Sequence, residues 1–119
     1  MRVKDGLENL LGVDRLVHEP ARLVILTILS EADEAEFRFL EKVSGLTKGN
    51  LSAHISKLEE GGYVEVRKFF RGKFPVTSMR ITKSGRQALK TYRKQLKEAL
   101  GQPAGIWAAA KKRLQVLAG

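Results

Sequence analysis

The tightest constraint on this 119-residue chain is the punctuation Ser44-Gly45-Leu46-Thr47, set between two helical patterns. Upstream, Glu36–Ser44 carries Phe37, Leu40 and Val43 on one face, which predicts a short helix. Gly45 is able to take the left-handed conformation that ends a helix. Thr47 is placed to cap the next one, its hydroxyl accepting a backbone N–H that has no helical partner. Downstream, Leu51, Ile55 and Leu58 stand at i, i+4 and i+7. They form the buried stripe of a helix from Lys48 to about Glu60, which Gly61-Gly62 stops.

The flanks complete a plan around this unit. Leu7, Leu10 and Leu11 predict a short helix over Leu7–Leu16, and Pro20 suits the first turn of another. From Ala21 to Ala32 the apolar residues Leu23, Ile25, Leu26, Ile28 and Leu29 are too dense for a surface helix, so this is the central buried one. Ala32-Asp33-Glu34 reads as a polar break. After Gly62, Tyr63–Phe69 partly alternates as a strand, Arg71-Gly72-Lys73-Phe74-Pro75 is a turn, and Val76–Ile81 returns as its partner. Phe69, Phe70 and Phe74 flank that turn and are expected to pack the hairpin onto the core. Thr82 caps a long helix over Lys83–Leu100, with Gly85, Leu89, Tyr92, Leu96 and Ala99 along a coiled-coil-like seam. Gly101–Gly105 breaks it, and Ile106–Leu117 forms a last short helix. The order predicts a mostly α fold with a small β-hairpin: a winged helix-turn-helix with extra N- and C-terminal helices. The expected division is 1–19, 20–82 and 83–119, with the winged unit in the middle and the outer segments serving dimerisation.

Charge narrows the function. Residues 1–66 hold 8 Lys/Arg against 12 Asp/Glu, whereas residues 67–97 hold 11 Lys/Arg and no acid. Such a stretch suits a polyanion, although a solvated basic face would carry the same charges, and membrane surface and nucleic acid both fit. No apolar run approaches the roughly 20 residues of a membrane span. The start, Met1-Arg2-Val3-Lys4-Asp5-Gly6, lacks a secretion signal, so a cytoplasmic location is expected. With no cysteine and only two histidines, His18 and His54, neither accompanied by acids at ligand spacing, no metal is expected. No nucleophile–base set or Gly-rich phosphate loop points to an enzyme or a cofactor. His54 lies beside the buried stripe, as a packing or phosphate-contacting residue.

Geometry favours DNA. Opposite Leu51, Ile55 and Leu58, the third predicted helix presents Gly49, Ala53, Ser56 and Glu60, with Asn50, Ser52 and Lys57 on the flanks. A helix entering a major groove about 12 Å wide needs such short polar side chains. Thr47, Lys48 and Asn50 lie at its amino end, where backbone N–H groups and the helix dipole attract phosphate. Asn50 suits adenine, and Lys48 and Lys57 suit guanine or phosphate. Around the hairpin, Arg67, Lys68, Arg71, Lys73 and Arg80 supply charge, and Gly72 lets the backbone approach phosphate or enter the minor groove. A solvated edge guarded by charge is the other reading of these cations.

The stretch from Pro20 to Thr82 resembles the stand-alone winged-helix DNA-binding domain family related to the MarR and ArsR transcriptional regulators. The carrying residues are His18-Glu19-Pro20-Ala21-Arg22, Gly45–His54, Leu58–Val64 and Ile81-Thr82-Lys83-Ser84-Gly85-Arg86. The cysteine motifs of metal-sensing ArsR relatives are missing. The resemblance implies a homodimeric regulator on a pseudo-palindromic double-stranded operator, with the helix beginning at Thr47 in the major groove. Trp107 and the stripe Ile106, Ala110, Leu114 and Leu117 suit a dimer interface or a fold-back onto Leu7, Leu10 and Leu11. Leu89, Tyr92 and Leu96 extend the candidate interface. A two-fold dimer would set its reading helices about 34 Å apart. A non-specific architectural DNA binder, and a winged module binding protein or RNA in a larger assembly, are the alternatives. No residue pattern specifies a small-molecule effector.

Overall fold

The computed structural model describes residues 12–100 together with Gln115 and Val116. In chain order these form α1 (Pro20–Ala32), β1 (Glu34–Glu36), α2 (Phe37–Ser44), α3 (Lys48–Glu60), β2 (Val64–Arg71), β3 (Phe74–Ile81) and α4 (Lys83–Leu100). The three strands make one antiparallel sheet in the order β1-β3-β2. This is the winged helix-turn-helix expected from the sequence. Contacts divide the chain into residues 14–90 and, separately, residues 1–13 with 91–119.

Within residues 14–90 the core is assembled from Ile25, Leu26 and Leu29 of α1, Leu40 of α2, and Leu51, Ile55 and Leu58 of α3. Val64, Met79 and Ile81 of the sheet close it. The helical stripe and the strand alternation thus meet on one side of the hairpin. The turn between α2 and α3 follows from its residues. Gly45 has φ 73°, and its N–H donates to Glu41 O at 3.2 Å, ending α2. The Thr47 hydroxyl accepts from Asn50 N at 3.2 Å, starting α3.

Four expectations need correction. Ala32-Asp33-Glu34 is not simply a break: Glu34, Ala35 and Glu36 pair with Arg80, Met79 and Ser78, adding a third strand. Residues 12–16 are not helical. Asp14 instead captures the following backbone, accepting from Leu16 N through its carboxylate at 2.9 Å and from His18 N through its carbonyl at 2.8 Å. That is the local competition by which aspartate disfavours helix. The hairpin turn is only Gly72-Lys73. Gly72 has φ 64° while Lys73 keeps a negative φ, so the tight two-residue turn suits the strand twist and both strands run to its edge. Pro75 therefore lies inside β3, opposite Phe70 and beyond the reach of β1. Finally, Val43, Phe70 and Phe74 are exposed rather than packed. Leu7, Leu10, Leu11, Ile106, Trp107, Leu114 and Leu117 lie outside the described residues.

Two clusters fix the reading helix to its surroundings. Glu19 caps α1, accepting from Arg22 N at 2.8 Å. Burial raises its pKa, but the backbone N–H groups of Arg22 and Ala21, with His54 and Arg22 nearby, outweigh that and leave it below the ordinary carboxylate value. Arg22 donates through Nε to Leu16 O at 2.7 Å, and its Nη1 lies 3.3 Å from His54 Nδ1 on α3. At the other end of α3, the start of α4 is stapled to the loop after it. Thr82 Oγ1 donates to Gly62 O at 2.7 Å and accepts from Gly85 N at 3.0 Å. A side chain at Gly85 would collide with the Tyr63 carbonyl, so only glycine allows this approach.

The Tyr63 hydroxyl donates to the Asp14 carboxylate. This bond, then burial, pushes the Tyr63 pKa up to about 12 from 10.0. A phenol whose folded pKa is raised contributes its full stability below the unfolded value and loses it as pH climbs to the folded value. Tyr63→Phe is therefore expected to lower unfolding free energy by about 1 kcal/mol at neutral pH. The difference from wild type should vanish between pH 10 and about 12, as measured by urea unfolding across that range.

Candidate nucleic-acid interface

The amphipathic period of α3 divides it cleanly. Leu51, Ile55 and Leu58 are buried, and Lys48, Gly49, Asn50, Ser52, Ala53, Ser56 and Lys57 are all exposed, as is Thr47 before them. Between Lys48 and Lys57 the outward surface carries only small or short polar side chains. Thr47 accepts from Asn50 N, which leaves its own hydroxyl proton available to an incoming acceptor. A Cβ at Gly49 would meet nothing within 4 Å, so no contact inside the chain requires glycine there. His54 is not part of this face. It packs towards α1, with Nδ1 3.7 Å from Glu19 Oε2 and its side chain 21% exposed.

The hairpin stands beside α3. Register places Val64, Val66, Lys68 and Phe70 on the face carrying Ile81, Met79, Thr77 and Pro75. The space between that face and α3 is a cleft of about 640 Å³ whose rim includes Lys48, Ser52, Ser56 and Glu59 on one side and Lys68 and Thr77 on the other. A second cleft, of about 490 Å³, lies against the amino end of α2, where Arg38 joins Lys48 and Arg71. Arg38 was not singled out from the sequence; it lies in the acid-rich half, where single cations do not stand out.

The other face of the hairpin behaves differently. Arg67, Phe69 and Arg71 point there, alongside Glu34 and Glu36 of β1. Arg67 lies 3.0 Å from Glu34 and 4.6 Å from the centre of the Phe69 ring. Arg71 pairs with Glu36. The buried Ser78 hydroxyl donates to Glu34 at 2.9 Å. Ser78, and after it Arg67, hold the Glu34 carboxyl below the usual range. Arg80 lies in register between Glu34 and Glu65. Beyond the hairpin, Arg86 on α4 pairs with Asp33 and donates to Ser30 O at 3.1 Å. The six wing residues read as one set thus fall into three places. Lys68 lines the cleft, Gly72 and Lys73 form the tip, and Arg67, Arg71 and Arg80 lie among acids on the outer face.

Along α4, Leu89 and Tyr92 are already buried within the protomer, while Leu96 is partly exposed. Among the described residues no group of three or more His, Asp or Glu is placed to hold a metal, and no helix is long and apolar enough to cross a membrane.

Comparison with known proteins agrees with this geometry. Residues 21–100 match a family model described as a winged helix DNA-binding domain. An uncharacterized protein of Methanocaldococcus jannaschii is 38% identical over 79 residues, which span 66% of this chain and 85% of the relative. A transcriptional regulator homologue from Pyrococcus horikoshii superposes with a TM-score of 0.74 at 31% identity, covering 81% of this chain and 94% of that one. NadR, solved in complex with 4-hydroxyphenylacetate, shares the fold with a TM-score of 0.61 at 18% identity, over 87% of this chain and 74% of its own. YusO of Bacillus subtilis shares it with a TM-score of 0.63 at 14% identity, over 98% and 84%. The resemblance read from the sequence therefore holds at the level of winged-helix regulators, which are not enzymes.

Ion pairs between side chains as exposed as Arg67, Arg71, Glu34 and Glu36 contribute little to stability. They do withhold two positive charges from an outside anion. Replacing both acids by glutamine keeps the Ser78 acceptor and releases Arg67 and Arg71. The double variant Glu34→Gln/Glu36→Gln should bind mixed-sequence duplex several-fold more tightly at low salt, with the log–log salt slope steepened by up to about two. Its melting temperature should barely move. Fluorescence anisotropy titrations over a salt series would measure this.

Proposed function

From a chain that belongs to the winged helix DNA-binding domain family, we propose a sequence-specific regulator of transcription. It acts as a homodimer and represses by occupying a pseudo-palindromic double-stranded operator. In this reading α3 enters the major groove. Thr47, Lys48, Gly49, Asn50, Ser52, Ala53, Ser56 and Lys57 face the bases and the adjoining phosphates. The observation that carries the proposal is the outward surface of α3: exposed from Thr47 to Lys57, with small or short polar side chains between Lys48 and Lys57, against a buried opposite stripe.

The cleft between α3 and the hairpin supports the same reading. When a helix occupies the major groove and a hairpin reaches the neighbouring minor groove, the strand of phosphates between them passes through that space. Lys48 and Lys68 face it from its two sides. Arg67, Arg71, Gly72, Lys73 and Arg80 then meet the backbone or the minor groove, the arginines by exchanging carboxylate for phosphate. Outside the winged unit, residues 1–19 and 83–119 join two copies through Leu7, Leu10, Leu11, Leu96, Ile106, Trp107, Leu114 and Leu117, whereas Leu89 and Tyr92, buried within the protomer, do not take part.

Base contacts and phosphate contacts fail differently. Asn50→Ala and Ser56→Ala should each cost about 1–3 kcal/mol on the duplex the protein selects from fragmented genomic DNA, with little loss on random duplex. Equal affinity of the wild type for selected and random duplex at physiological salt would instead mean a non-specific architectural binder. Light scattering of the full chain should return twice the mass of one chain, and a monomer at all concentrations would remove the dimer from the proposal.

A further inference from the structure

Two phenylalanines sit where a soluble hairpin has least use for them. Phe70 and Phe74 are 73% and 76% exposed, in the last two rungs before the Gly72-Lys73 turn. They lie on opposite faces of the ribbon, since Phe74 is in register with Arg71 and Phe70 with Pro75. Neither packs on the core, and the space around Gly72 is open. The collar around these rings is basic. Lys68, Arg71 and Lys73 are the charged residues between Arg67 and Arg80, and no carboxylate occurs from residue 67 to residue 97. Two acids reach the cleft beside Phe74: Glu36, which is engaged with Arg71, and Glu41.

An apolar tip inside a ring of cations matches a specific chemistry. Base pairs present flat apolar faces between two lines of phosphate, and a wedge that parts them needs rings at its point and positive charge at its sides. Arg67 and Arg71, the longer cations of the hairpin, are turned to the outer face by Glu34 and Glu36 and by the Phe69 ring. The rings stand exposed in the two rungs next to the turn, with Lys73 at the turn itself.

We infer that the hairpin tip inserts Phe70 and Phe74 into the minor groove of duplex DNA as an apolar wedge that partly unstacks a base step. This rests on the DNA-binding role proposed above and adds a mode of recognition to it. A wedge makes sequence preference by deformability. Pyrimidine–purine steps, which unstack most readily, are favoured where the tip lands, without a hydrogen bond to any base. The recognition sequence therefore carries a flexible step beside each major-groove site.

The full-length protein is titrated onto the duplex it selects, with the fluorescent base 2-aminopurine placed at the flexible step flanking the major-groove site. Wild type should raise the fluorescence several-fold by unstacking. Phe70→Ala/Phe74→Ala should abolish the rise and weaken binding about tenfold or more, with an unchanged salt slope, because no phosphate contact is lost. Lys73→Ala should do the reverse, keeping the rise and lowering the slope by about one. Phe74→Trp retains a stacking face and should restore the rise when Phe70 is present. Equal affinity and equal fluorescence for wild type and the double alanine variant would overturn the wedge while leaving the regulator standing. If the wild type itself binds no duplex, the DNA-binding role falls and the wedge with it.

Discussion

The pairing of β1 with β3 is the contact on which the arrangement of this molecule turns. Only Glu34, Ala35 and Glu36 are involved, yet Glu36 is also the residue before α2. The hairpin is thereby joined to the first helix of the helix-turn-helix with no slack between them. Ala35 faces the core beside Met79, and the flanking glutamates point outward. The angle between hairpin and reading helix is thus fixed at one end by a three-residue ladder. At the other end it is fixed by the Thr82 and Gly85 contacts with the loop after α3.

The same ladder sorts the charges. Along the sequence, acids and bases look segregated, with residues 33–36 in the acidic half and 67–97 wholly basic. In three dimensions Asp33, Glu34 and Glu36 meet Arg86, Arg67 and Arg71. Lys48, Lys57, Lys68 and Lys73 take no part in these pairs. These lysines border the reading helix, the cleft and the tip.

Much of this was legible in the sequence, and the exceptions have physical reasons. The stripe of Leu51, Ile55 and Leu58, the Gly45 stop and the Thr47 cap are local signals, set by helical period and backbone sterics within a few residues. β1 was not legible, because three residues are too few to establish a period and its partners lie more than 40 residues away. Leucine spacing alone points to a helix through Leu16, but the Asp14 side chain competes for the backbone N–H groups there. Phe70 and Phe74 read as core because aromatics in a strand usually are, and only the length of the hairpin carries them past the body they would pack against. Of the candidate site, the residues of α3 were found by period alone. The partition of the hairpin cations between two faces needed the register.

Pro75 has a consequence beyond the turn. β1 covers β3 only at Ser78–Arg80, so the stretch from Phe74 to Thr77 has an open flank. A bare flank next to two exposed aromatic rings is a template on which another extended chain could add itself. Proline has no N–H to offer such a chain, and it occupies that flank close to the tip. Along β2, the opposite rim of the sheet, Glu65, Arg67, Lys68 and Arg71 present charge beside the exposed Phe70. The wing is thus able to display a sticky tip in a crowded solution without its own copies zipping together.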